Sequence, residues 1–186
     1  MDAGSWTGLE VAQLAATTLV PVSVAGIGFW ISQITKRLEA NQWLNQQLVE
    51  RRIIFVDAVS ARLNDLYCYY LWIGGWKEIS PAEIITWKRE LDRTFNINRP
   101  FLTQSCLDSY QAFIRTLFET YAAPGRDALL RTTIRSPNGD RSAAYPRTWQ
   151  ASWNAMFARS GEADHAKVIA RYDDLIHELG RQVGWQ

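Results

Sequence analysis

The chain is poor in cysteine and in histidine, and both shortages narrow what it can be. Two cysteines, Cys68 and Cys106, in apolar surroundings, cannot build a disulfide scaffold; they read as reduced, buried thiols of a cytoplasmic compartment. Two histidines, His165 and His177, cannot furnish a multi-histidine metal centre, and no Cys/His cluster with metal spacing occurs. A glycine-rich phosphate loop and a serine nucleophile elbow are also missing. Neither sign of charge dominates: Lys+Arg 20 against Asp+Glu 19 leaves +1, so the whole chain carries no field for polyanions. No alternating run marks a strand, and there is no internal repeat.

What remains is apolar and aromatic. Hydrophobic residues make up 47% and mean hydropathy is −0.20, which excludes both a disordered chain and a multi-span membrane protein. The 9 Trp, 7 Tyr and 7 Phe suit large buried contacts and a membrane interface. At 186 residues the chain has room for one ordinary folded domain and its core.

The strongest asymmetry lies near the N-terminus. No residue between Glu10 and Lys36 is charged, and about 20 apolar residues suffice to cross the hydrocarbon core. Asp2 and Glu10 precede this stretch, which is the wrong sign for a secretory signal, whereas Lys36, Arg37, Arg51 and Arg52 follow it. The positive-inside rule then predicts a single-pass helix over 11–35, its N-terminus outside and the remainder cytoplasmic, in a bacterial inner membrane. Trp6 and Trp30 stand where interfacial anchors would, and a buried core helix is the competing reading. On a helical wheel Gln13, Thr17, Val24, Gly28 and Thr35 share one side, beside a stripe containing Ala12, Ala16 and Ser23. Such stripes let membrane helices approach one another, so the five positions are candidate pore-lining residues of a homo-oligomer.

Beyond the span, no Gly or Pro falls between Ile31 and Ile73, which predicts a continuing stalk helix over 36–75. Leu48, Phe55, Val59, Leu66 and Ile73 mark its apolar face for partners, and Gly74-Gly75 is the expected stop. Ser80-Pro81-Ala82-Glu83 reads as an N-cap, a first-turn proline and a capping-box glutamate, opening a helix to about Phe95. Further helices are expected over 103–122, 146–158 and 161–183. The predicted fold is all-α: extracytoplasmic residues 1–10, a transmembrane helix over 11–35, the stalk, and a cytoplasmic helical bundle over 76–186.

Two patterns carry candidate chemistry. Between Arg126 and Trp153 stand Arg126, Arg131, Arg135, Arg141 and Arg147, interleaved with or followed by Tyr145, Trp149 and Trp153, while Asp127 and Asp140 are the acids. Arginine beside aromatic faces binds nucleotides or single strands by phosphate pairing and base stacking, so these Arg residues with Tyr145 and Trp149 are the candidate ligand site. A solvated or lipid-facing arginine loop is the alternative. Ser136-Pro137-Asn138-Gly139-Asp140 is expected to be a flexible loop at its centre. The second pattern, Arg159 and His165 in Arg159-Ser-Gly-Glu-Ala-Asp-His165, has the Arg/His spacing of the helical HEPN ribonucleases, in which His moves a proton and Arg stabilises phosphorane charge. Asp173, Asp174, His177 and Glu178 read as a solvated helix face.

Residues Pro21 to Phe101, with the motifs Arg62-Leu-Asn-Asp-Leu-Tyr67 and Lys88-Arg-Glu-Leu-Asp92, resemble a group of small single-span bacterial membrane proteins. In layout the chain is similar to membrane effectors of anti-phage defence systems, such as the Hailong membrane effector. That resemblance implies an oligomer in membrane lipid, a pore or ion channel triggered by a nucleotide or oligonucleotide, and a signal-synthesising enzyme as partner. It assigns no residue. The expectation is therefore a non-enzymatic, ligand-gated effector with no cofactor and no metal; a membrane-tethered HEPN-like ribonuclease and a non-catalytic scaffold are the alternatives.

Overall fold

Helix α1 runs from Gly8 to Leu71 in the computed structural model, which describes residues 8–120 and 127–184. Up to Leu44 its side chains are described at Trp30, Ser32, Gln33, Thr35, Lys36 and Trp43. The pore-lining candidates Gln13, Thr17, Val24 and Gly28 therefore lie outside the described side chains; Thr35 is exposed, as are Trp30 and Trp43. Among the described residues no helix is long and apolar enough to cross a membrane. The chain divides into two compact units, 1–47 and 48–186, and the second contains everything that follows.

Residues 48–71, expected on a free stalk, belong to the second unit. Phe55, Val59, Leu63, Leu66 and Tyr70 recur at three- and four-residue steps and are at most 3% exposed. The apolar face read from the sequence is thus corrected: Phe55, Val59 and Leu66 are buried in their own chain, Leu48 is half-buried and Ile73 is exposed. Phe55 meets Phe95 of α2 (Pro81–Asn98) edge-on, with centroids 5.0 Å apart. Tyr67 stacks on Tyr172 of α5 (His165–Gln182) at 4.2 Å. The Tyr70 hydroxyl donates to the Leu117 carbonyl at the end of α3 (Gln104–Leu117).

The two sequence markers prove to be packing devices. Arg62 holds Asp65 at 3.3 Å and lies 4.5 Å above the Trp87 ring, joining α1 to α2. Lys88, buried on α2, bonds Asp92 one turn on at 2.6 Å, and Asp92 accepts from the Tyr110 hydroxyl of α3 at 2.7 Å. Gln182 closes the opposite helix ends: its amide donates to Thr103 Oγ1 at 2.8 Å and its Oε1 accepts from the Thr103 backbone at 3.2 Å. Both cysteines are free, Cys106 buried and Cys68 half-buried, and burial pushes the Cys106 thiol up to about 11, which keeps it unreactive.

Helix α2 starts at the Ser80/Glu83 capping box, with Ser80 Oγ accepting from the Glu83 backbone and Glu83 from the Ser80 backbone. Helical spacing over 103–122 points Leu107, Phe113, Ile114, Leu117, Phe118 and Tyr121 inward; the first four, on α3, are buried, as is Phe118 just past its end, and Tyr121 lies outside the described residues. Other boundaries differ from expectation. α1 stops at Leu71, before the glycines, because Trp72 turns to a φ of 59° and Gly74 follows at 59°. α3 ends at Leu117, where the chain straightens into β1 (Phe118–Glu119), paired antiparallel with β2 (Leu129–Leu130).

The sequence stretch expected to be a flexible loop is a second ribbon, β3 (Arg135–Ser136) against β4 (Gly139–Asp140), followed by the short helix α4 (Arg141–Ala144). No α-helix forms over 146–158, where Ala151–Met156 is a 3-10 turn. Two-residue strands are too short to write an alternating pattern, so these ribbons left no periodic trace. The unit is mostly helical, with these pieces joined to it.

Candidate functional site

The arginine/aromatic segment is organised by one residue that does not face solvent. Arg141 is 2% exposed; its Nη2 donates to the Tyr69 carbonyl at 2.8 Å and to Thr132 Oγ1 at 3.2 Å, and its Nε to the Thr133 carbonyl at 3.0 Å. The guanidinium carbon sits 3.8 Å from the Tyr69 ring centroid and 3.7 Å from that of Trp72. Burial pulls its pKa below the ordinary arginine value, opposed by Tyr69, Tyr70 and Glu162, and an arginine so placed stays charged at neutral pH. Arg141 is thus a clamp holding the hairpin to the end of α1.

Around this clamp the chain folds back on itself. The Ala158 N–H donates to the Leu130 carbonyl, the Ala163 N–H to that of Arg131 and the Arg141 N–H to that of Ile134, each at 2.8 Å. Phe157 forms a parallel bridge with Leu130. These bonds leave a groove of about 500 Å³ whose walls include Thr133, Arg135, Ser142, Trp149, Asn154 and Phe157. That volume is in the range of small-molecule sites.

Trp149 is held in the groove by its neighbours. Its Nε1 donates to Asn154 Oδ1 at 2.9 Å, and its ring meets Trp153 edge-on at 5.3 Å and Tyr145 at 6.2 Å. The Phe157 ring lies nearly parallel to it, 26° apart, with centroids at 6.5 Å. Arg135 is 80% exposed and pairs with Asp140 at 2.6 Å. The Ser142 hydroxyl, the Ala143 N–H and Arg135 together draw the Asp140 carboxyl down to about 2. Thr133 Oγ1 is buried in the groove wall with no hydrogen-bond partner among the described residues. The groove therefore offers a flat aromatic and a solvent-facing guanidinium.

The seven sequence candidates are dispersed. Arg135 and Trp149 line the groove together; Tyr145 is buried behind Trp149; Arg147 is exposed and outside it; Arg141 is buried in the clamp; Arg131 is half-buried in a different cavity; and Arg126 lies outside the described residues. Sequence reasoning missed Phe157, Asn154 and Thr133. Phe157 continues the aromatic run past Trp153 and could have been added, whereas Asn154 and the isolated Thr133 hydroxyl leave no mark in a sequence. Arg159 is exposed, and His165 opens α5 with its Nε2 3.5 Å from Glu162 Oε1. Among the described residues no group of His, Cys, Asp and Glu is placed to hold a metal ion. Comparison with known protein families, with characterised proteins and with solved structures gives no match for this chain.

Proposed function

We propose that the chain is a non-catalytic, oligomeric membrane effector whose helical unit receives a nucleotide or oligonucleotide signal and gates a pore, in the manner of anti-phage effectors. The observation that carries the ligand half is the groove, where Trp149 and Phe157 supply faces for a base and Arg135 a guanidinium for phosphate. The membrane half is supported by the uncharged run over 11–35, bounded on its C-terminal side by Lys36 and Arg37. In this reading 11–35 anchors the chain in the inner membrane, several copies enclose the path, and the helical unit is cytoplasmic. The signal comes from a separate synthesising enzyme.

The reading is tested on the detergent-solubilised chain by its assembly mass and by calorimetric titration with nucleotides, cyclic nucleotides and short oligoribonucleotides. A discrete oligomer is expected, with at least one of these ligands binding. Trp149→Ala and Arg135→Glu should each weaken that ligand about ten-fold, the worth of roughly 1.4 kcal/mol. A monomer, or a ligand indifferent to both substitutions, overturns it. RNA cleavage that disappears in His165→Ala would instead establish the tethered ribonuclease.

A further inference from the structure

A second cavity, of about 440 Å³, is built from α3, the segment after β2 and the start of α5, and among the described residues no aromatic lines it. Four cations do: Arg115, Arg131, Lys167 and Arg171. Its two acids are already engaged by the protein. Glu162 Oε1 accepts from Trp72 Nε1 at 3.2 Å and lies 3.5 Å from His165 Nε2. Asp164 Oδ1 caps α5 by accepting from the Ala166 N–H at 3.0 Å.

The cations are much less satisfied. Arg131 makes no side-chain hydrogen bond among the described residues, and its Nε is buried without a partner. Lys167, exposed, has no ion pair among them. Arg115 meets the neutral Gln111 at 3.3 Å, and Arg171 meets Asp174 at 3.1 Å in a pair open to solvent. Four cations on one cavity wall, with few anionic partners among the described residues, make a place for acceptor oxygens. Guanidinium forks match phosphate oxygens in geometry as well as in charge. Among the described residues the cavity has no aromatic face to stack on a base.

We infer that this cavity is an oligophosphate-binding site, recognising linked phosphate groups through Arg131, Arg115, Lys167 and Arg171. It is separate from the Trp149 groove and does not depend on the reading given to that groove. The phosphates could be those of a free oligophosphate or of a larger phosphorylated molecule; the chemistry recognised is the same.

The test is calorimetric titration of the 186-residue chain with inorganic tripolyphosphate at fixed ionic strength. Saturable binding to one site per chain is expected. Arg131→Gln should weaken it about ten-fold, and Lys167→Gln and Arg171→Gln about five-fold each, as for charge-assisted contacts removed singly. Arg93→Gln, an exposed α2 arginine outside the cavity, should leave it unchanged. Because Lys167 and Arg171 are on the surface, their variants carry the test even if the Arg131 variant fails to fold, and thermal melts identify that failure. Absence of saturable binding overturns the proposal, as does an Arg93 variant weakened as much as the Lys167 one, which is diffuse screening. Citrate binding as tightly as tripolyphosphate would overturn the phosphate assignment. Given the site, ATP binding that is tighter than tripolyphosphate, weakened by Lys167→Gln and unaffected by Trp149→Ala identifies the source as a larger phosphorylated molecule, and equal binding identifies a free oligophosphate.

Discussion

Arg141 shows how far a residue's role can depart from its composition class. Its charge is matched by two backbone carbonyls, a threonine hydroxyl and the faces of Tyr69 and Trp72, with no carboxylate among the described residues bonded to it. Replacement by alanine leaves the Tyr69 and Thr133 carbonyls short of a donor and opens a void against two aromatic rings. Arg141→Ala is therefore expected to cost about 2–4 kcal/mol in chemical denaturation. Arg141→Lys should recover little of this, since an ammonium cannot reproduce the planar fork. A lysine variant as stable as the parent would show that the charge alone matters. Arg135, on the same segment, pairs with Asp140 from a fully solvated position, where such pairs contribute little to stability. The two arginines are indistinguishable in sequence; only the path of the backbone separates the clamp from the groove-lining group.

Elements whose signals are local were legible. The capping box that opens α2 is written in four consecutive residues, and the inward face of α3 in its helical spacing, so neither needed tertiary information. Around 146–158, where a helix is expected, Tyr145, Trp149, Trp153 and Phe157 recur every fourth residue. That spacing suits a helix, but here the rings gather edge-to-face on a chain that forms only a 3-10 turn. The β3–β4 ribbon depends on a long-range contact as well as on its turn. Gly139, at a φ of 153°, lies so close to Trp76 that a Cβ would stand 3.0 Å from Cη2 and 3.2 Å from Cζ2. Trp76 is buried against Trp72 and has little room to yield. Gly139→Ala should destabilise the unit by about 1–2 kcal/mol, read as a lowered denaturation midpoint. An unchanged midpoint would mean that the ribbon lifts freely from Trp76.

At the scale of the helical unit, buried tyrosines couple the fold to alkaline pH. Burial, opposed by Arg141, pushes Tyr69 up to about 12, and burial drives Tyr70 and Tyr110 further above the ordinary tyrosine value. In the unfolded chain a tyrosine gives up its proton near 10, while folded Tyr69 keeps it to about 12. The stabilisation is thus fully present below pH 10 and drains away as pH rises towards 12. Tyrosinate absorbance for these residues and loss of helical circular dichroism should therefore rise together in that window; ionisation of Tyr69 near 10 with the helices intact would contradict the burial argument. By itself the sequence determined the helical class, the α2 start and the inward face of α3. All of these rest on interactions within a few residues. Tertiary structure alone decided that the face of α1 at Phe55, Val59 and Leu66 is covered by its own chain. It also decided that Arg141 is buried, and that Arg131 and Arg135 line different cavities. The physical reason is range: periodicity and caps act over one or two turns, whereas burial and charge pairing are set by segments tens of residues apart.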